Sequence, residues 1–246
     1  MEAIILAGGF GTRLKKLNLD VPKPMIPLGK HPFLFYLLSW LKKNGITRVI
    51  LSVGYKWEII EEYFGTSFRD IELVYSVEDE PLGTGGAIKK ALEYCNEELV
   101  WVINGDTFFE IDLKSMQSFH IEDRNYFTLA AKPVKDTSRY GRVLVDEQAR
   151  ITGFGEKAEK GPGLINGGIY LFEKGFFKDK LSGQKFSFEK DILEKYVLEE
   201  KFGAFVSERY FIDIGTPEDY RKAQMAKDIF GRYKTSVPSQ IIKKRD

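Results

Sequence analysis

The sequence predicts an α/β protein built on an open, mostly parallel sheet with helices on both faces, continued by a strand-rich second half. Two observations point there. Over the first hundred residues, short β-branched runs alternate with segments of helical rhythm, the pattern of consecutive βα units. Beyond residue 125 extended segments follow one another with few intervening helices, which adds an antiparallel or mixed portion to that sheet.

Glu2-Ala-Ile-Ile-Leu-Ala7 is a buried strand that stops at Gly8-Gly9-Phe10-Gly11, so the first strand feeds a glycine loop. Pro22, Pro24 and Pro27 mark an extended loop, because proline fixes its own φ and turns the preceding residue away from helix. From Pro32 to Asn44 the apolar residues keep helical spacing and Gly45 supplies the stop. Thr47 to Val53, Ile71 to Val77 and Leu99 to Ile103 read as strands, with helices at Trp57 to Phe64 and Gly85 to Tyr94 between them. In such sheets the ligand crevice lies beyond the carboxyl ends of the strands, here Gly8, Gly54 and Asn104. Phe127 to Ala131, Arg142 to Val145, Ile151 to Gly155 and Ile165 to Phe172 are extended. Helical patterns return at Phe188 to Glu200 and, after a strand at Phe211 to Ile214, at Pro217 to Phe230, where Thr216 is the cap and Glu218 and Asp219 stand in the first turn.

The 246 residues are enough for one domain with a sizeable core. Residues 1–231 are expected to form it, with a nucleotide-binding half to about 110 and a sugar-phosphate half from about 111, and residues 232–246 to form a basic tail. With 37 basic and 36 acidic residues, the net charge of +1 offers no global field to draw nucleic acid or an anionic membrane. The longest greasy stretch, Phe33 to Leu41, is half the roughly 20 residues needed to span a bilayer. Cys95 is alone and no secretory leader is apparent, so a cytoplasmic location is expected. Neither His31 nor His120 falls in a Cys/His metal pattern, and no Gly-x-Ser-x-Gly elbow is present.

The chemistry-bearing residues begin with Leu6-Ala-Gly-Gly-Phe-Gly-Thr-Arg-Leu14. Its glycines expose backbone N–H groups to a phosphate chain and Arg13 adds a forked cation. Leu14 stands where a dinucleotide fingerprint needs its third glycine, and the ending of a P-loop is missing, so a nicotinamide dehydrogenase is disfavoured. In Pro22-Lys23-Pro24-Met25 two prolines hold a lysine on a stiff segment.

These two segments resemble the signature of the sugar-1-phosphate nucleotidyltransferases. Glu80-Pro-Leu-Gly-Thr-Gly-Gly86, Asn104-Gly-Asp106, Gly155-Glu-Lys157, Asn166-Gly-Gly-Ile-Tyr170 and Phe211-Ile-Asp-Ile-Gly-Thr-Pro217 follow in the family's order. The wording is most similar to the members that act on D-glycero-α-D-manno-heptose 1-phosphate with GTP. The resemblance implies a Rossmann-like three-layer sandwich of the nucleotidyltransferase, GT-A-like kind. No hexapeptide repeat follows position 217, so no β-helical extension is expected.

The resemblance and the chemistry together assign roles. Leu6, Ala7, Gly8, Gly9, Gly11, Thr12, Arg13 and Lys23 would hold the triphosphate, with Arg13, Lys23 and Asp106 catalytic. Asp106 and Asp213 are hard carboxylates at strand ends that suit Mg²⁺; alone, the first would serve a turn and the second a helix cap. Gly83 and Thr84 open a helix whose N–H groups can meet the base or ribose, Asn104 lies at a strand end, and Glu78 and Glu80 lie just upstream of the glycines. A carboxylate is the natural acceptor for the N1–H and N2–H₂ donors of guanine, which favours GTP while leaving uracil and thymine open. By resemblance Lys157 grips the phosphate of the sugar 1-phosphate while Glu156 accepts hydrogen bonds from the sugar hydroxyls, Asn166 and Gly167 line the sugar, and Tyr140 and Gly141 form the opposite wall. The expected reaction is transfer of GMP from GTP to a heptose 1-phosphate. Mannose 1-phosphate with GTP, a hexose or N-acetylmuramate 1-phosphate with UTP or dTTP, and a sugar-nucleotide-binding module without turnover remain alternatives. Oligomeric state is left open, a homodimer being one expectation.

Overall fold

The computed structural model describes residues 1–9, 20–155, 160–178, 180–181 and 183–233. Elements in chain order begin with β1 (Glu2–Leu6), β2 (Pro27–Leu28), β3 (His31–Pro32), α1 (Phe33–Lys43), β4 (Arg48–Val53), α2 (Trp57–Phe64), β5 (Ser67–Phe68), β6 (Ile71–Val77), α3 (Gly83–Leu92) and β7 (Leu99–Asn104). Then come β8 (Thr107–Phe109), α4 (Leu113–Glu122), β9 (Phe127–Val134), β10 (Arg142–Val145), β11 (Ile151–Gly155), β12 (Gly163–Glu173) and α5 (Lys174–Lys178). The chain closes with α6 (Glu194–Tyr196), β13 (Phe202–Val206), β14 (Phe211–Asp213), α7 (Pro217–Met225) and α8 (Lys227–Gly231).

Among the described residues ten strands form one sheet, in the order β11-β10-β12-β7-β1-β4-β6-β5, with β9 pairing β12 and β13. β7, β1, β4 and β6 are mutually parallel, and β12 enters antiparallel to β7. That junction is where the parallel half gives way to the mixed half.

The layers follow from the period of two along a strand. On β1, Ala3 and Ile5 join one apolar core with Val49, Leu51, Trp101 and Ile103. Ile4 faces the other way, into a second core with Ile50, Val100, Val102 and the α3 residues Ile88 and Ala91. Strands apolar on both faces are those of a doubly covered sheet. Helix α1 fills the first face so completely that every residue from Phe33 to Leu41 is buried, the mark of a helix wholly inside the core.

Several segments depart from the sequence reading. The proline-rich loop contains one 3₁₀ turn, Lys23–Met25, closed by Met25 N–H on the Pro22 carbonyl at 2.8 Å. Phe188–Leu193 winds as a π-helix before the short α6, in place of one long helix. The C-terminal helix breaks at Ala226 into α7 and α8, and the break lets Phe230 and Tyr233 bury in the first core. Tyr233, placed by sequence in the tail, is therefore packed; residues 234–246 lie outside the described set. Strands β8 and β13 and helix α4 had not been read from the sequence at all. His120 is 3% exposed on α4.

Candidate active site

The carboxyl ends of β1, β4 and β7 open on a cavity of about 310 Å³, within the range of small-molecule sites. The end of β1 contributes Leu6, Ala7, Gly8 and Gly9, the 3₁₀ turn contributes Lys23 and Pro24, and the loop after β7 contributes Asn104, Gly105 and Asp106. The α3 side contributes Pro81, Gly83, Thr84 and Ala87.

The reacting end is built by a small ladder. β14 pairs antiparallel with β8 so that Asp213 stands opposite Thr107, and Ile214 N–H donates to the Asp106 carbonyl at 2.9 Å. Two acids more than a hundred residues apart thus become neighbours. Lys23 Nζ donates to Asp106 Oδ2 in a partly buried ion pair, and Thr107 Oγ1 donates to Asp106 Oδ1 at 3.2 Å. Burial raises the Asp213 carboxyl above the ordinary carboxylate range and the Asp106 charge adds to the rise, while Lys23 opposes it. A Cβ on Gly215 would lie 2.8 Å from Asp213 Oδ1 and 3.3 Å from Lys23 Nζ. Glycine there leaves an oxygen-lined cradle beside the ammonium. Two hard carboxylates, with the remaining positions left to substrate oxygens and water, match the donor set of Mg²⁺.

A second group forms the cavity wall beside α3. Glu189, on the π-helix, accepts from Thr84 Oγ1 at 2.7 Å and Ser187 Oγ at 3.1 Å. Tyr170 OH donates to its other oxygen at 3.5 Å and in turn accepts from Asn166 Nδ2 at 2.9 Å. Asn166 Oδ1 accepts from Gly168 N–H at 2.8 Å. Gly168 has φ of +71°, and a Cβ on it would sit 2.8 Å from Asn104 Nδ2, so only glycine lets this bulge of β12 lie against Asn104.

Most sequence-predicted residues therefore converge. Leu6, Ala7, Gly8, Gly9, Lys23, Gly83, Thr84, Asn104 and Asp106 line the one cavity, with Asp213 beside Asp106. Asn166 reaches it through Tyr170 and Glu189, whereas Gly167 is buried, its α-carbon packed against the Phe109 ring and the Ala130 carbonyl. Gly141 lies on the loop before β10, next to Tyr140, whose ring meets Phe211 edge-on at 6.1 Å. Glu80 is exposed and stands off the cavity; Glu78 is on its wall, accepting from Ser52 Oγ at 3.0 Å and Leu82 N–H at 3.1 Å. Gly11, Thr12, Arg13, Glu156 and Lys157 lie outside the described residues. Glu189 escaped the sequence reading because its neighbours Lys190, Asp191 and Glu194 make it look like one of several charges on a solvated helix face.

The nucleotidyl transferase family model matches residues 2–228. The chain belongs to the nucleotidyl transferase family. It is 52% identical over 224 residues to a D-glycero-alpha-D-manno-heptose 1-phosphate guanylyltransferase from Aneurinibacillus thermoaerophilus, covering 91% of this chain and 97% of the relative. A guanylyltransferase of the same description from Campylobacter jejuni is 50% identical over 220 residues, 89% of this chain and 97% of its own length. Among solved structures, HddC from Yersinia pseudotuberculosis complexed with GMP-PN superposes with a TM-score of 0.82 at 40% identity, over 91% of this chain and 98% of that one. The family match thus extends along nearly the whole chain.

Proposed function

We propose that this protein transfers GMP from GTP to D-glycero-α-D-manno-heptose 1-phosphate, giving GDP-heptose and pyrophosphate. The observation that carries the reading is the convergence of Lys23, Asp106 and Asp213 with the Gly8–Gly9 turn on one cavity, in a chain half identical to relatives named for this reaction.

A phosphate monoester is already a nucleophile. One of its oxygens forms the new bond to the α-phosphorus, the bond to the bridging oxygen breaks, and that electron pair leaves with pyrophosphate. The protein needs no covalent intermediate; its work is alignment and charge neutralisation. The backbone of Gly8 and Gly9 approaches the phosphates without side-chain obstruction, and Lys23 supplies a positive charge at the reacting phosphates. Asp106 and Asp213 would hold Mg²⁺, which neutralises charge on the phosphate oxygens as the bond to pyrophosphate breaks. Glu78 is the carboxylate placed to accept from the guanine N1–H and N2–H₂ edge, and Gly83 and Thr84 border the same region. Glu189 offers an acceptor to a substrate hydroxyl, and Asn166 supports it through Tyr170. The expected roles of Arg13 on the triphosphate, Lys157 on the sugar phosphate and Glu156 at the sugar hydroxyls stand as proposals on sequence alone.

Pyrophosphate release across a matrix tests the reading: GTP, ATP, UTP and dTTP against heptose, mannose, glucose and N-acetylmuramate 1-phosphates, with and without Mg²⁺. The pair GTP and heptose 1-phosphate is expected to give the highest kcat/KM, and only with a divalent cation. Preference for a uridine or thymidine nucleotide would replace it with the hexose reading. Thermal stabilisation by ligand without pyrophosphate would leave a binding module.

A further inference from the structure

The parts of the site come from distant stretches of chain, and the first turn of α7 ties them together. Thr216 caps that turn: its Oγ1 accepts from Asp219 N–H at 3.2 Å and donates to Asp219 Oδ2 at 2.7 Å. Asp219 is 5% exposed, and its carboxylate receives a cation from a distant loop. Arg139, on the loop between β9 and β10, donates Nη1 to Asp219 Oδ1 at 3.1 Å and Nη2 to Oδ2, a two-pronged pairing across 80 residues of sequence. Such a fork fixes orientation as well as distance. The next residue along, Tyr140, packs its ring on Phe211 of β14, two positions before Asp213.

Tyr220 reaches the other way. Its hydroxyl donates to the Pro27 carbonyl at 2.6 Å and its ring packs with Ile26, directly after the turn that presents Lys23. Consecutive residues of one helix thus hold the segment that follows the Lys23 turn and the loop that carries Arg139, and the strand leading into that helix carries Asp213.

We propose that Arg139 and Asp219 are positioning residues for the sugar 1-phosphate: their ion pair docks the Tyr140–Gly141 loop against the Asp213 arm and so sets the wall the sugar meets. The inference rests on the reading that this loop lines the sugar. Several observations separate the pairing from a generic stabilising contact. The Arg139 side chain is 43% exposed and its partner 7%, so the guanidinium reaches a buried carboxylate from solvent, and the stability cost of removing it is read by the melt separately from KM. Thr216 and Lys222 remain as partners of Asp219 when the guanidinium is removed. On its other side the loop is tied to Gly161 through Thr137 N–H at 3.0 Å. Toward the arm that carries Asp213, Arg139 adds an oriented ion pair to the ring contact of Tyr140 with Phe211.

Steady-state kinetics of Arg139→Gln, Arg139→Lys, Tyr220→Phe and Gly141→Val, each with a thermal melt, test it. Arg139→Gln is expected to raise KM for the sugar 1-phosphate on the order of 10-fold, as a small misplacement of a docking surface does, with KM for GTP held within about twofold. Arg139→Lys, which keeps the charge and loses the fork, is expected to fall between wild type and Arg139→Gln. A lowered melting temperature with unchanged sugar KM would overturn the proposal, as would equal changes in both KM values. It would also fail if Tyr220→Phe raised the sugar KM as much as Arg139→Gln does, since a general loosening of α7 would then explain both. Gly141→Val separates this inference from the reading beneath it. A Cβ at position 141 meets nothing nearer than the Gly155 carbonyl at 3.6 Å, and the melt checks that the added methyls are accommodated. If it leaves the sugar KM unchanged, the loop does not touch the sugar and the latch falls with that reading; if it raises the sugar KM while Arg139→Gln does not, the latch alone is wrong.

Discussion

At the scale of single residues, Lys23 is tied to Asp106 beside the buried carboxyl of Asp213, so an ammonium offsets charge that two neighbouring acids would otherwise pool. His120 shows the opposite use of burial, far from the cavity. Its ring is packed inside α4 with Nδ1 2.8 Å from Thr128 Oγ1, and desolvation lowers its pKa from 6.5 to about 4. Between those two values the unfolded chain holds a proton that the folded chain does not. Folding stability therefore falls as pH drops through that window, by about 2 kcal/mol between pH 7 and pH 4.5. Urea denaturation of wild type and His120→Gln at both pH values measures it. The variant should lose correspondingly less stability on acidification, and parallel losses would show that the ring is protonated in the fold.

At the scale of elements, α3 and the segment before the π-helix depend on contact without side chains. Gly85 N–H donates to the Phe186 carbonyl at 3.0 Å, Phe186 N–H donates to the Leu82 carbonyl at 3.1 Å, and a Cβ on Gly86 would stand 2.2 Å from the Gln184 carbonyl oxygen. Backbone cannot yield there as a flexible side chain would. Gly86→Ala is expected to cost about 1–3 kcal/mol of stability, the usual range for overpacking, and to raise both KM values because Glu189 shifts with the segment; an unchanged melt would remove the close approach. The same elements explain what could be read in advance. The βα units of the first hundred residues were legible because each strand is a short apolar run ending at Gly8, Gly54 or Asn104, and each helix carries its own period. Helix α4 was readable in principle, since Asp112 caps it and Leu113 and Met116 are spaced for one face, but His120 occupies the position where the apolar stripe should continue. β8 and β14 are three residues each, and nothing local announces that they pair. The adjacency of Asp106 and Asp213 is a product of that pairing and came from motif resemblance, not from pattern. Glu189 had no signal of either kind.

At the scale of the molecule, the parallel strands give the sheet two unlike ends. The carboxyl end opens on the cavity; the amino end is closed by structural polar contacts. There Glu2, 4% exposed, accepts from Asn96 N–H at 2.7 Å, Glu97 N–H at 2.8 Å and Arg48 Nη1 at 2.8 Å. Glu2→Gln turns part of an acceptor-only group into a donor facing other donors, which is expected to cost about 1–3 kcal/mol, or a fall in Tm of several degrees for a chain of this size. Both KM values and kcat should stay at wild-type levels when measured well below the melt. A kinetic defect would mean that the two ends communicate.

The eleven residues of β12 run past β7, β9 and β10 in turn, with the ladder to β9 changing register between Asn166 and Tyr170. One continuous plank thus joins the parallel and the mixed parts of the sheet. Hinging one part against the other would mean breaking its ladder hydrogen bonds, so the strand acts as a splint across that junction.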